Sequence, residues 1–412
     1  MPSERFSGLA AVLDAVRDDE GITQALLVER VGLGRSIIAQ RVAELEAAGL
    51  VVSDGLGPST GGRAPRLLRL RAAAGYVLGI DIASHELMAG IADLTGTVRA
   101  TRHEHIDFES GPEAVLARAE SMSNALMDET GSRGRVRSVA LGMPEPVAFD
   151  NETPVALPTM PGWDRYPVRE RLASLWSVPV SMDDRVNLLA LGERRVNPRA
   201  GRSEHMLYMG GGTGIGAAVV VDGRLYRGAG GLAGALGHMA VPGADQVVCR
   251  CGNVGCLEAV AGAVALSRDG RVLAETGGSP ALADILADTG AVRPIDITRA
   301  AELGDPAAQA LLTRAATVLG GGLAMLVNAY NPDLVVIGGG IARAGARVLD
   351  AIRVAIHRHA LPAATRDLRI ELSDTDEEIA GVIGAAQFAL DELFSPAHLP
   401  TLMDAGESRR SA

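Results

Sequence analysis

Apolar side chains at Leu9, Val12, Leu13 and Val16 recur every three or four residues, which predicts one face of a helix. Gly21 stops the run, and Thr23 is placed to cap a second helix over 24–30. After the turn Val31-Gly32-Leu33-Gly34, a stripe of Ile38, Val42 and Leu45 predicts a third helix over 35–48, closed by Gly49. Two helices joined by a glycine-containing turn form the helix-turn-helix pattern, with the third helix as reader. Residues 50–52 and 67–70 read as strands on either side of a glycine-rich wing that carries Arg63. Arg35, Ser36, Ile37, Gln40 and Arg41 fall off the apolar stripe. These side chains suit phosphates, base edges and a thymine methyl, and Arg63 suits a minor groove. An ordinary solvated helix face has the same spacing.

From Tyr76 the pattern changes to short apolar runs. Strands are predicted over 77–82, 85–92, 99–106 and 136–143, with a helix over 112–129 before the last. A helix over 168–176, a strand over 178–182 and a helix over 186–195 follow. Residues 262–313 read as short helices and 319–330 as a longer one. A strand enters Gly338-Gly339-Gly340, another covers 368–372, and a last helix covers 378–394. No repeat of 20–50 residues is present, by the usual spacing of repeat folds.

Composition changes this picture in one respect. The 412 residues are 47% hydrophobic but only 3% aromatic, so the cores rest on aliphatic side chains and alanine. The formal charge is −11, which argues against nucleic-acid binding by the chain as a whole. Its distribution argues otherwise. Residues 1–72 hold nine arginines and nine acids, and 30–71 hold seven arginines against three acids, a local +4. Every basic side chain apart from histidine is arginine. No uninterrupted apolar run is long enough for a membrane span and the first residues show no cleavable signal pattern, so a cytoplasmic protein with no membrane partner is expected.

Two chemical features share the stretch 207–258. All three cysteines, Cys249, Cys251 and Cys256, fall within eight positions, shortly after His238. Three thiolates and an imidazole satisfy tetrahedral zinc, and a closed set of four protein ligands is a structural Zn2+ site. Buried free thiols are the alternative; a disulfide is disfavoured by the odd count. The second feature is the turn Gly210-Gly211-Gly212-Thr213-Gly214-Ile215-Gly216 after the strand-like 206–209. Its backbone N–H groups either cradle phosphate or shape a tight hairpin.

In this order, Gly-Thr-Gly-Ile-Gly, then Ala-Gly-x-x-Gly-His, then Cys-x-Cys-Gly-x-x-Gly-Cys-x-Glu resembles the ROK family of repressors, open reading frames and sugar kinases, and the likeness runs over nearly the whole chain. The resemblance implies a winged helix-turn-helix domain over 1–72, followed by a two-lobed actin-like ATPase α/β fold of the ROK sugar-kinase type: 73–194 with 376–395 as the first lobe and 195–375, with the zinc site, as the second, leaving 396–412 as an expected flexible tail. It also implies places for a sugar and a nucleotide, with the turn at Gly338 near the adenosine. Several of those places are altered here. The family's catalytic Asp, in an Asn-Asp-x-Asn turn, aligns with Arg185 in Asp183-Asp184-Arg185-Val186-Asn187, and an arginine cannot accept the attacking hydroxyl's proton. The first phosphate loop reads Asp81-Ile82-Ala83-Ser84-His85 instead of Asp-x-Gly-Gly-Thr, and Glu145 replaces a glycine. The sugar-binding Asn and Glu positions hold Thr159 and Ala235, while His238 and Glu258 remain.

The expectation is therefore a non-enzymatic transcriptional regulator, a repressor binding a double-stranded operator as a dimer or tetramer. Gly212, Thr213 and Gly214 are expected to be a vestigial phosphate loop. Thr159, Asp184, Arg185, His238 and Glu258 are expected to line an effector pocket. Arg185 suggests an acidic or phosphorylated effector, and the resemblance a sugar-derived one. The competing expectations are a sugar kinase with a DNA-binding head and a DNA-binding regulator without effector.

Overall fold

The structure is a computed structural model that describes residues 4–19, 21–57, 64–144, 147–148, 153–154, 162–212 and 214–407. Three helices open the chain: α1 (Glu4–Arg17), α2 (Gln24–Val31) and α3 (Arg35–Ala47). The Thr23 hydroxyl accepts from Leu26 N–H, and Gly32 ends α2 at φ +72°, a left-handed geometry that favours glycine. Leu9, Leu13, Leu27, Ile38, Val42 and Leu45 meet in the middle. The wing is an antiparallel pair, β1 (Val51–Leu56) and β2 (Arg66–Leu70), with Ile22 bridged to Leu68.

The next sheet holds β3 (Tyr76–Ile82), β4 (Glu86–Asp93), β5 (Val98–His105) and β6 (Val136–Met143), with α4 (Pro112–Glu129) preceding β6. A two-residue pair, β7 (Val147–Ala148) with β8 (Thr153–Pro154), precedes α5 (Val168–Trp176) and β9 (Val180–Asp184). The strand order is β5-β4-β3-β6-β9, antiparallel on one side and parallel where β6 and β9 join. Then come α6 (Arg185–Val196) and α7 (Pro198–Arg202).

The second sheet repeats this logic as β12-β11-β10-β13-β14. Its members are β10 (Met206–Gly211), β11 (Ile215–Val221), β12 (Arg224–Leu225), β13 (Leu334–Ile337) and β14 (Arg369–Leu372). Between β12 and β13 lie α8 (Leu257–Ala261), α9 (Ala263–Glu275), α10 (Pro280–Thr289), α11 (Pro294–Glu302) and α12 (Pro306–Tyr330). The helix predicted over 319–330 thus starts earlier, where Asp305 caps Ala307 and Ala308. Helix α12 is the one described helix long and apolar enough to cross a membrane, and Leu311, Leu319, Leu323 and Val327 bury it in the core. Helices α13 (Gly345–His359) and α14 (Pro362–Thr365) separate the last two strands.

Helix α15 (Glu377–Phe394) crosses back onto the first sheet, where Val382, Ala385 and Ala386 pack over Gly79 and Gly90 of β3 and β4. It also lies along α6 at very short range. A Cβ on Gly192 would stand 2.0 Å from the Ala380 carbonyl, and one on Gly384 1.7 Å from that of Leu188. Within the stretch 396–412 expected to be a flexible tail, 408–412 lie outside the described residues and Leu399–Glu407 form α16. Leu399, Leu402 and Met403 bury one stripe of it in the core that α1 shares with Leu390, Leu393 and Phe394 of α15. The head and the body are therefore joined by one continuous apolar cluster.

Candidate functional site

Helix α3 presents Arg35, Ser36, Ile37 and Gln40 to solvent while Ile38 is fully buried behind them. Ile37 keeps 41% of its surface exposed on this face. Gly34 before α3 supplies no side-chain cap, so first-turn N–H groups remain available to a phosphate. Arg41 does not join this face. Its side chain is 14% exposed and pairs with Glu44 at 2.7 Å, and Arg5 of α1 reaches the same carboxylate at 2.7 Å. Helical spacing placed Arg41 among the readers; the acid three residues on turns it into a brace within the head. Arg63 lies outside the described residues.

The β10–β11 turn is a hairpin, with Gly210 opposite Gly216 and Gly211 opposite Ile215. Gly212 N–H closes it on Gly214 C=O at 2.9 Å; Thr213 lies outside the described residues. Beyond it, His238 ends a short 3-10 turn and the cysteines follow on a folded knuckle. Cys249 N–H donates to Asn253 C=O and Gly252 N–H to Cys249 C=O, with Gly252 and Gly255 at φ +92° and +72°. One ligand atom from each of His238, Cys249, Cys251 and Cys256 lies within 4.8 Å of all the others. Cys251 Sγ and Cys256 Sγ are 3.7 Å apart, and Cys249 Sγ and His238 Nδ1 3.9 Å. Tetrahedral ligands at zinc distances stand roughly 3.5–3.8 Å apart, so the donor set and its spacing suit a structural metal ion.

His238 also lines a cleft of about 440 Å³ between the two sheets. Asp81, Asp184, Arg185, Gly212, Gly214 and Glu258 line it too, whereas Thr159 and Glu145 lie outside the described residues. Arg185 does not point a free charge into this space. Its Nε donates to both oxygens of Asp81 at 2.9 and 3.1 Å, and its Nη1 to Glu377 Oε1 at 2.7 Å. Burial works against the guanidinium's charge, but Asp81 and Glu377 outweigh it and hold the pKa above the ordinary arginine value. Burial pushes Asp81 up to about 6, the pull of Arg185 only partly opposing it. Asp184 caps α6 through Val186 N–H at 3.0 Å, and burial raises it also to about 6. Asp183 is held by Arg227 and Asn187, and Glu258 by Ile215 N–H at 3.0 Å and Arg250 at 3.3 Å. Sequence reading missed Glu377, Arg227 and Arg250, whose partners lie 192, 44 and 8 positions away.

The ROK family model matches residues 77–392. The chain belongs to the ROK family. A winged helix-turn-helix DNA-binding model matches residues 11–52. A putative xylose repressor from Caldicellulosiruptor sp. (strain Rt8B.4) is 30% identical over 93% of this chain and 95% of its own length. A glucokinase from Halalkalibacterium halodurans is also 30% identical, but over 75% of this chain and 93% of its own length. Among solved structures, a ROK family transcriptional regulator, homolog of the E. coli MLC protein, superposes with a TM-score of 0.82 at 23% identity, covering 97% of this chain and 99% of its own. A ROK family glucokinase from Streptomyces griseus, in complex with glucose and AMPPNP, gives 0.66 at 26% identity over 76% of this chain and 99% of its own. The chain is thus a DNA-binding regulator of ROK type, with a winged helix-turn-helix on a sugar-kinase-like body.

Proposed function

We propose that this ROK regulator represses transcription, binding a pseudo-palindromic operator as a symmetric homo-oligomer in the cytoplasm. Arg35, Ser36, Ile37 and Gln40 enter the major groove, the N-terminus of α3 takes a phosphate, and Arg63 follows the adjoining minor groove. The observation that carries this reading is the exposed, uncapped reading helix on a body whose kinase base position holds an ion-paired arginine. Similarity to a putative xylose repressor and a xylose repressor over 93% of the chain points the same way.

Phosphoryl transfer is not part of the proposal. Arg185 cannot serve as a base, and its grip on Asp81 ties up the carboxylate just before Ile82, which closes β3. The acidic effector suggested by Arg185 loses its support, because that charge is taken up by two carboxylates. The remaining polar groups, Asp184, Glu258 and the outer nitrogen of His238, suit the hydroxyls of a neutral sugar-derived effector. Zn2+ in the Cys3His set would hold the knuckle, and with it His238 and the start of α8 that carries Glu258. Helices α6 and α15 both begin at this site, at Arg185 and Glu377. The far end of α15 meets the head, where Asp391 pairs with Arg17 at 2.7 Å and Phe394 lies under the same guanidinium. An effector that binds more tightly to one arrangement of this helix pair shifts the head between DNA-competent and incompetent states. The test is binding of the purified chain to the DNA upstream of its own gene against a shuffled fragment, with candidate sugars added. Equal binding to both fragments would count against it.

A further inference from the structure

A second and larger crevice, about 900 Å³, lies where the DNA-binding head meets the body. The head contributes Arg17 from the end of α1 and Arg69 from the wing. The body contributes Arg194 and Arg195 from the last turn of α6, with Thr95 and Gln387 nearby. Three acids also line it, but two are already engaged: Asp391 with Arg17 at 2.7 Å, and Asp19 with Arg30 at 3.0 Å. Asp18 is left against Arg69, Arg194 and Arg195; neither Arg69 nor Arg195 forms an ion pair among the described residues, and Arg194 meets only the charge of Asp333, beyond ion-pair distance. Arg194 donates only to backbone, to Ala200 C=O at 2.9 Å and Ser203 C=O at 2.5 Å; Arg195 reaches Thr95 C=O at 3.3 Å. Burial holds Arg194 below the ordinary arginine pKa, with Asp333 opposing it only in part. A half-buried cation with no carboxylate at ion-pair distance is costly, and this one stands in a chain of net charge −11.

We infer that this crevice binds a small polyanion of the diphosphate or polycarboxylate class, and that the bound anion bridges Arg69 of the head to Arg195 of the body. A single phosphate is too small to reach both walls of a space of this volume, whereas two or more acidic groups on one molecule supply acceptors at each end. Helix α6 separates the crevice from the sugar-kinase cleft: Arg185 and Arg195 are ten residues apart, about 15 Å along the helix. The two sites are therefore distinct, and occupation of the crevice sets how firmly the head is held to the body.

The experiment is titration calorimetry on the full chain with pyrophosphate and with citrate at physiological ionic strength; it needs neither an operator nor the cleft effector. The parent, Arg69→Gln/Arg195→Gln and Arg343→Gln are compared, the last removing an exposed cation from the rim of the cleft. Arg69 and Arg195 are both exposed, so unchanged thermal melts of the double variant without ligand establish that it folds. The expected result is saturable binding of at least one probe, weakened about tenfold or more in the double variant by loss of charge-assisted hydrogen bonds, and unchanged in Arg343→Gln. Absence of saturable binding by both probes, equal binding by the double variant, or loss in Arg343→Gln would each overturn the inference.

Discussion

Arg185 and Glu377 stand 192 positions apart and meet at 2.7 Å, joining the first residues of α6 and α15. The same guanidinium holds Asp81 of β3, so one side chain ties two helices and a strand. Arg185→Met leaves the Asp81 carboxylate buried without its counter-charge and should cost about 3–5 kcal/mol, the range for breaking one side of a buried pair. Denaturant unfolding of the variant measures this; a loss within experimental error would mean that the pairing carries no weight. Arg185→Asp should not consume ATP with any hexose, since it places a third acid beside Asp81 and Glu377.

The cleft should impose a pH dependence on stability through Asp184. Its carboxyl is raised from 3.8 to about 6 in the folded chain by burial. The folded state therefore holds this proton more firmly than the unfolded state. The resulting stabilisation is fully present below about pH 4 and is lost as pH rises through about 6. Asp184→Asn keeps the cap on Val186, because asparagine caps as well as aspartate, and removes the titration. The difference in stability between parent and variant should change by roughly 1–3 kcal/mol between those limits. Parallel melting-temperature curves from pH 4 to about 6.5 would refute the assignment.

The Cys3His set should hold one zinc per chain, as measured by elemental analysis of the purified protein. Cys256→Ser, or a strong chelator, should lower the melting temperature, because a structural site contributes its binding energy to folding. Cys256 immediately precedes α8, so loss of the metal should also weaken any ligand that depends on Glu258. A metal-free preparation with an unchanged melt would show that the thiols are simply buried.

The close approach of Gly192 and Gly384 to carbonyls of the facing helix predicts intolerance to a single methyl group. Gly192→Ala and Gly384→Ala should each destabilise by about 1–3 kcal/mol or more, as overpacking does. Thermal melts of both variants check this. Unchanged stability in both would mean that α6 and α15 are free to separate, and the proposed route from the cleft to the head would fail.

Local chemistry made much of the fold legible. Thr23 marked α2, and Pro112 began an 18-residue helix that ends as its pattern indicated. The clustering of three cysteines around two left-handed glycines likewise announced the knuckle. What stayed hidden depended on distant partners. Leu399, Leu402 and Met403 have helical spacing, but over only nine residues, and they become buried because α1 and α15 are there to receive them. Arg41 sits at a reader's position in the helical period, yet Glu44 and Arg5 draw it inward. Arg185 read as a free cation because neither Asp81 nor Glu377 is near it in sequence.

The most direct test of the account is DNA binding by the purified chain, comparing the fragment upstream of its own gene with a shuffled fragment at two salt concentrations. Arg35→Ala and Gln40→Ala should each weaken the native fragment by about 1–3 kcal/mol without altering stability, if these side chains read base edges. Arg41→Ala should instead lower the head's stability, since Arg41 pairs with Glu44. Preference for the native fragment, reduced by the first two substitutions, is the predicted result. Equal and purely salt-sensitive binding to both fragments, unmoved by Arg35→Ala and Gln40→Ala, would contradict the reading of α3 as a sequence reader.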